Sequence, residues 1–455
     1  MPGDLSGSGT NRIVNRRNVL RGLGAATTIS LAGCAGGDDS SDGPNGSSDG
    51  DVEIDYWMYF GAQEGEEMQT LVDEFNQKDN GITVNAQSVP FPQFLDKLFS
   101  AVKSENAPHI ASYYGSYGQH LKRVCHPIDE YLSSGTKNEY FDAAWNSLQV
   151  EDSTYALPID IHGKALYTNN DVLEKAGVDP TGDFNQSWEA FKQTAETIKS
   201  ETNARPFSML NWKNGQAAFR AFIIAHSQAG GKLFEGEPGN YDVAFDNDRG
   251  VETAQLMYDV TGDLGWDHSQ LQSKSARVED FVADELAMFI AGTWSTNNFE
   301  NENGKIPEDL NFQFHKPFYF PGDGEDVAWA ESNSLYFPRN PNHTDAERQA
   351  AVEFAEYATQ NNTLWAEAGG HLPAATSVAN SDKVQSLNLW TEQKTISTMY
   401  EMVENGQIQY QPKTSIHLNA PRYWGTLMDM YLHSVEPEQA MTMIADEVQS
   451  ALDRS

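Results

Sequence analysis

Cysteine and basic residues are what this chain has least of. Only two of its 455 residues are cysteine, Cys34 and Cys125. Cys34 is committed in the leader described below, which leaves Cys125 without a partner and excludes an intrachain disulfide. Cys125 reads as a small core or rim residue with no chemistry. Lysine and arginine together number 30 against 66 aspartates and glutamates, for a net charge of −36. A polyanion of this size lacks the basic face that nucleic-acid phosphates require. Two readings of the acidity compete, an acidic partner surface and the solvated coat of a protein living in concentrated salt. The acid is spread along the chain instead of being blocked into a tail, which favours the second. Missing too are HExxH, GxSxG and GxxxxGK[ST], and Gly115-Ser116-Tyr117-Gly118 lacks the elbow pattern, so no catalytic motif is in place. Asp246, Asp248 and Gly250 supply half a calcium loop without its closing glutamate, and read as a turn. No metal and no cofactor is expected.

The N-terminus is not fold. Asn15-Arg16-Arg17-Asn18-Val19-Leu20 sets paired arginines before a weakly apolar run that ends Leu31-Ala32-Gly33-Cys34. The run is too short, and too rich in Gly, Ala and Thr, for the roughly 20 apolar residues of a membrane span. Residues 1–33 resemble a twin-arginine export signal, carried by Arg16 and Arg17, with a lipoprotein cleavage box that makes Cys34 the lipidated first residue. Residues 34–51, rich in Gly, Ser and Asp, then form a flexible tether. A single lipid chain anchors only marginally, so a double-chain lipid is expected on Cys34.

Past the tether the pattern is α/β. Val52, Ile54, Tyr56, Met58 and Phe60 alternate as a strand, and Met68, Leu71, Val72 and Phe75 fall at helical spacing. Ile82, Val84 and Ala86 mark a second strand, Phe94 to Val102 a second helix, and Pro108 to Tyr114 a third strand. This alternation implies a doubly wound sheet, with ligand expected outside the carboxyl ends of its strands. Those ends are Tyr59 to Glu64 and Tyr113 to Tyr117, both loaded with aromatic and small polar groups. Further on, Ser187 is placed to cap a helix bearing Trp188, Phe191, Ala195 and Ile198, and Thr344 with Glu347 forms a capping box. The last helix should begin near Pro437.

The organising stretch is Tyr155 to Pro180, YALPIDIHGKALYTNNDVLEKAGVDP. Pro158 suits a strand end or hinge better than a sheet centre, and Asp160 and His162 interrupt an apolar passage where an unpaired carboxylate would be expensive. The segment resembles the first inter-lobe crossing of the family 1 extracellular solute-binding proteins, the maltose-binding-like sugar receptors of ABC importers. Phe281 to Trp294 resembles the family's strand leading to a cleft tryptophan. Ala328 to Pro338 and Gly369-Gly370-His371-Leu372-Pro373 resemble the second and third crossings. The chain departs from many relatives at Lys164, commonly small or apolar, and at His109, often acidic. The resemblance, which runs from about Asp55 to Leu452, implies a two-lobe type II binding-protein fold with three crossings. Lobe 1 would comprise 52–159 plus 331–370 and lobe 2 160–330 plus 371–455. It implies a monomeric receptor that closes on a carbohydrate, mono- or oligosaccharide, and presents it to the membrane permease.

A sugar site needs aromatic plates for apolar ring faces, and carboxylates, amides or arginine for hydroxyls. The candidate plates are Trp212, Trp294, Tyr113, Tyr117 and Trp424. Core packing is the usual fate of an aromatic, but polar neighbours favour a ligand role for Trp294 and Trp212. Tyr113 and Tyr117 are evenly balanced. One of Tyr423 and Trp424 is expected in the core and the other in the cleft. The candidate polar groups are Glu64, Ser116, Asp160, His162, Glu331, Ser332 and Arg422. Lys164 and Arg422 could instead meet an anionic group, which makes a receptor for glycerol 3-phosphate or another polyol phosphate the alternative. A lipid-tethered glycoside hydrolase would need two carboxylates flanking the sugar, and Asp160 with Glu331 could imitate that in a closed cleft.

Overall fold

The computed structural model describes residues 52–455 except 211–214, 238–239, 269–273, 300–305, 308, 318–320, 323 and 419. The leader residues Arg16, Arg17 and Cys34 and the candidate plate Trp212 therefore lie outside the described residues.

Alternation at the start of the domain becomes a parallel ladder. Val52–Met58 pairs with Ile82–Ser88 on one side and with the strand Ile110–Tyr114 on the other. Helices Ala62–Asn76 and Phe91–Lys103 make the crossovers. Met68, Leu71, Val72 and Phe75 are at most 2% exposed, as the helical spacing requires, each worth roughly 1.5–3 kcal/mol of burial. Two antiparallel strands complete this five-stranded sheet, Asn333–Tyr336 and then Ala156–Pro158.

The second sheet is built on Asp160–Asn169, ten residues buried throughout. Strands Leu286–Gly292 and Arg205–Ser208 lie on one side, Ala328–Glu331 and Ile408–Tyr410 on the other, and Phe312–His315 and Leu372–Pro373 also pair with Asp160–Asn169. A strand with both edges paired and both faces covered carries no alternation, as the consecutive apolar residues Ala165, Leu166 and Tyr167 show.

The chain changes sheets at single residues. Pro158 ends a strand of the first sheet, and Asp160 begins the central strand of the second, so Ile159 is the whole connection. Ser332 does the same in reverse between Glu331 and Asn333. Gly370, at φ +63°, turns the end of helix Thr363–Gly369 into the third passage, where Leu372 and Pro373 pair with Ile161 and Asp160. The fold is the two-lobe, type II arrangement, mixed α/β with three crossings.

Local chemistry behaves as its residue types dictate. Ser187 Oγ accepts from the Ala190 amide at 3.1 Å, Thr344 and Glu347 form a reciprocal box, and Pro437 opens the last helix. Near Asp246 the half calcium loop is a cap: Asn247 accepts from the Gly250 amide at 3.0 Å. A side chain at Gly250 would meet the Phe245 carbonyl oxygen at 1.8 Å. Cys125 is buried and free.

Candidate functional site

The three passages converge on one carboxylate. Asp160 is fully buried and accepts five hydrogen bonds: from His162 Nδ1 (2.9 Å), the Asn333 amide (2.9 Å), Asn333 Nδ2 (2.7 Å), Trp365 Nε1 (2.7 Å) and His371 Nδ1 (2.8 Å). Burial alone would raise this carboxyl, but His162 and His371 outweigh it and hold it well below the usual carboxylate range. His162 is pushed down to about 4, chiefly by burial, and stays neutral at pH 7. Burial also opposes charge on His371, yet Asp160 and Glu64 prevail and raise it. The two rings stack at 4.9 Å, and His371 Nε2 faces Glu64 at 4.0 Å. These are the only three clustered metal-type donors among the described residues. Both oxygens of Asp160 are already taken by N–H donors, so the cluster works as a positioning network.

Above this network lies a cavity of about 310 Å³. One wall comes from the first sheet and its loops, through Tyr59, Glu64, Tyr114 and Asn333. The other comes from the second sheet and its helices, with His162, Lys164, Arg220, Arg277 and Trp294. Tyr59 donates its hydroxyl to Asn333 Oδ1, so the same asparagine that grips Asp160 also holds a plate of its own wall. The Trp294 indole is half-buried, stands edge-on to His162 at 5.4 Å, and lies flat over Gly292. A Cβ on Gly292 would meet that ring at 2.2 Å. Arg220 sits over Trp329 at 4.1 Å and within 5.5 Å of Trp294. Aromatic faces, a carboxylate, an amide and cationic forks thus share one small space, the mixture that polar ring compounds require.

A family profile described as bacterial extracellular solute-binding protein matches residues 70–391. The chain belongs to that family. This solute-binding protein is 26% identical over 242 residues to the arabinooligosaccharide-binding protein of Bacillus subtilis (strain 168), covering 52% of each chain. It therefore spans about half the length of that relative. Among solved structures it is similar to the cyclic α-maltosyl-1,6-maltose binding protein from Arthrobacter globiformis, at 20% identity and a TM-score of 0.74, covering 89% of this chain and 100% of that one. The GacH receptor of Streptomyces glaucescens, solved unliganded and with acarbose, matches at 18% identity and a TM-score of 0.71, covering 88% of this chain and 98% of the other. At these identities the likeness establishes the fold. No helix among the described residues of the solute-binding protein is long and apolar enough to cross a membrane.

Of the residues expected to meet ligand, Glu64, His162 and Trp294 line the cavity, and Asp160 lies directly beneath it. Glu331 is fully buried to one side, accepting from the Ser116 amide and the Ser332 amide at 3.0 Å each and from the Ser116 hydroxyl. Burial pushes its carboxyl up to about 7. Ser116 is thereby occupied, and Ser332 bonds Tyr410 at 2.9 Å. The hydrolase geometry fails here, because neither Asp160 nor Glu331 lines the cavity. Tyr113 turns into the core of its own sheet, stacked on Phe94 at 5.7 Å, while Tyr114 faces the cavity. Tyr117 is buried against His417 at 4.3 Å. The expectation that one of Tyr423 and Trp424 would reach the cleft does not hold. Both are core, Trp424 with its Nε1 bonded to the Leu418 carbonyl at 2.7 Å. Arg422 is exposed beside Tyr423, away from the cavity, because the helix Pro421–Tyr431 buries its opposite face against Gly215–Gln228.

Asn333 and His371 line the cavity without having been expected to, and four further unexpected lining residues are instructive: Tyr59, Tyr114, Arg220 and Arg277. Tyr59 and Tyr114 were at the right strand ends, but strand alternation shifts by one the ring that faces ligand. Arg220 left a usable signal: an arginine inside the unbroken apolar run AAFRAFIIA, where a charge without purpose would be costly. Arg277, in SKSARVEDFV, looks like any amphipathic surface position.

Proposed function

We propose that this protein is the extracellular substrate-binding subunit of an ABC importer, capturing a carbohydrate between its lobes and delivering it unchanged to the membrane permease. One observation carries the reading: the 310 Å³ cavity is walled by aromatic plates and by hydroxyl-binding groups supplied from both sheets. Lobe 1 is 52–159 plus 331–370 and lobe 2 is 160–330 plus 371–455, joined at Ile159, Ser332 and Gly370. Each passage is one or a few residues long, so small backbone rotations there rotate one lobe on the other. A guest that touches Tyr59 or Glu64 on one side and Trp294 or Lys164 on the other stabilises closure, and one that touches a single wall does not. The relative that binds arabinooligosaccharide and the structural neighbours that bind maltosides lend weight to a carbohydrate guest. The protein acts as a monomer, exported by the twin-arginine route through Arg16 and Arg17 and lipid-anchored at Cys34 on the outer face of the membrane, in a salt-loving organism. Salt adaptation accounts for the charge of −36 without assigning it to the ligand.

The decisive experiment is a thermal-shift panel of mono- and oligosaccharides in concentrated salt, followed by calorimetry on any hit. A binder raises the melting point by linkage, and labelled oligosaccharide is recovered intact. Cleavage of the label would replace the receptor reading with a hydrolase. Mass spectrometry of membrane-extracted protein tests the anchor, since an unmodified Cys34 removes it.

A further inference from the structure

One wall of the cavity is cationic in a way that neutral sugars do not need. Lys164, Arg220 and Arg277 reach it from three separate elements: the central strand of the second sheet, the helix Gly215–Gln228, and the helix Lys274–Val282. Each is more than nine-tenths buried, at 6%, 5% and 6% exposure. Among the described residues none of the three forms an ion pair. Lys164 Nζ donates to the Ala217 carbonyl at 3.3 Å and Arg277 Nη1 to the Ile290 carbonyl at 3.2 Å. Arg220 engages the Tyr114 hydroxyl, but among the described residues its Nε and Nη2, and Nε of Arg277, have no hydrogen-bond partner. A buried guanidinium with idle N–H groups is expensive unless something arrives to use them.

The acids nearby do not discharge this wall. Asp160 is consumed by five donors. Glu331, which feels Arg220, is held by Ser116 and Ser332 and pushed up to about 7, half discharged near neutrality. Asp267, which feels Arg277, is taken up by Arg205 at 2.5 Å. Glu64 stands on the opposite wall, facing His371. Both forks are also oriented: Arg220 is stacked on Trp329 at 4.1 Å and Arg277 on Phe289 at 4.5 Å. Stacking fixes the plane of a guanidinium and leaves its edge for bidentate contact with a planar or tetrahedral oxyanion.

We propose that the carbohydrate this protein takes up carries an acidic group, a carboxylate or a phosphate, seated on Lys164, Arg220 and Arg277. The inference rests on the carbohydrate reading and narrows it to acidic sugars. The anion docks against lobe 2, and the sugar ring projects toward Trp294, Tyr59 and Glu64. Lys164 adds a second consequence. Burial first, and then Arg220 and Arg277, press its amine well below the ordinary lysine range. An arriving anion favours the charged form of this amine.

The test compares glucose, glucuronate and glucose 6-phosphate, with inorganic phosphate as a fourth probe, by calorimetry on the full chain at one ionic strength. At least one acidic sugar should bind about tenfold or more tighter than glucose. Glucuronate against glucose 6-phosphate distinguishes the carboxylate from the phosphate source. Arg220→Met and Arg277→Met, which keep bulk without charge, should remove the preference, and Arg277→Lys should retain part of it. If glucose binds as tightly as both acidic sugars, the inference is wrong and the carbohydrate reading stands. If only inorganic phosphate binds, the anion seat stands and the carbohydrate reading falls.

Discussion

Replacing Asp160 tests the network on which the three passages meet. The carboxylate has no exposure and five N–H partners from four residues, of which His162 and Asn333 lie on strands of different sheets, Trp365 on the helix Thr363–Gly369 and His371 in the third passage. Asp160→Ala strands all five donors. A buried donor left unmatched costs about 1–3 kcal/mol, but the five share one acceptor and are not additive. The measured range for removing one partner of a buried charged set, about 3–5 kcal/mol, is the better figure. Asp160→Asn is the sharper variant because it keeps the shape. Whichever way the amide is turned, its NH2 faces N–H donors: the Asn333 amide on one side, Trp365 and Asn333 Nδ2 on the other. The imidazoles can change tautomer to accept, but an indole or a backbone amide cannot. The isostere should therefore still cost at least about 2 kcal/mol, read as a lowered denaturant midpoint and melting temperature at fixed salt. The pH course adds a second check. His371 is raised above its ordinary value, so its share is complete below about 6.5 and is lost as pH rises through the folded value. Asp160 is depressed, so its share is present above about 4 and fades only as strong acid protonates it. The gap between wild type and Asp160→Asn should be widest between those limits. An asparagine variant as stable as wild type throughout that window would refute the network.

Three further outcomes follow from the cavity and the buried carboxyl beside it. Trp294→Ala should weaken sugar binding by about 2 kcal/mol if the indole is a stacking anchor, with calorimetry as the readout; unchanged affinity would make it packing alone. Gly292→Ala should weaken binding while leaving the fold largely stable, because the added methyl meets the Trp294 ring at 2.2 Å and must swing it out; a wild-type dissociation constant would disprove that seating. Glu331→Gln should gain stability relative to wild type as pH rises from 4.5 to about 7, because the raised carboxyl loses its favourable neutral form over that span and glutamine does not titrate. The full gain is at most about 3 kcal/mol, and a difference indifferent to pH would contradict the burial argument.

Much of the fold was legible in the pattern because periodicity is a local property. Met68, Leu71, Val72 and Phe75 declare a helix wherever they occur, and the capping box at Thr344 and the stop at Pro158 are equally local. The site was legible where a residue was anomalous in its neighbourhood. Asp160 and His162 stood out as polar groups in an apolar strand, and Trp294 stood at the end of one. Tyr113 and Tyr114 show the limit. Both are aromatic, adjacent and at a strand end, and only which face of the finished sheet borders the cavity determines which of them lines it.

The places where the chain leaves one sheet for the other came from the family resemblance; by itself the sequence determined the local order of strands and helices and the acidic charge of the chain. Those depend on spacing and composition, which neighbours along the chain suffice to set. Tertiary structure alone decided that Asp160 would be shared by two histidines, an indole and an asparagine. It also gathered Lys164, Arg220 and Arg277, scattered over 113 positions of sequence, onto one wall. Charges so far apart along the chain interact only when the fold removes the water between them, and no local pattern records that encounter.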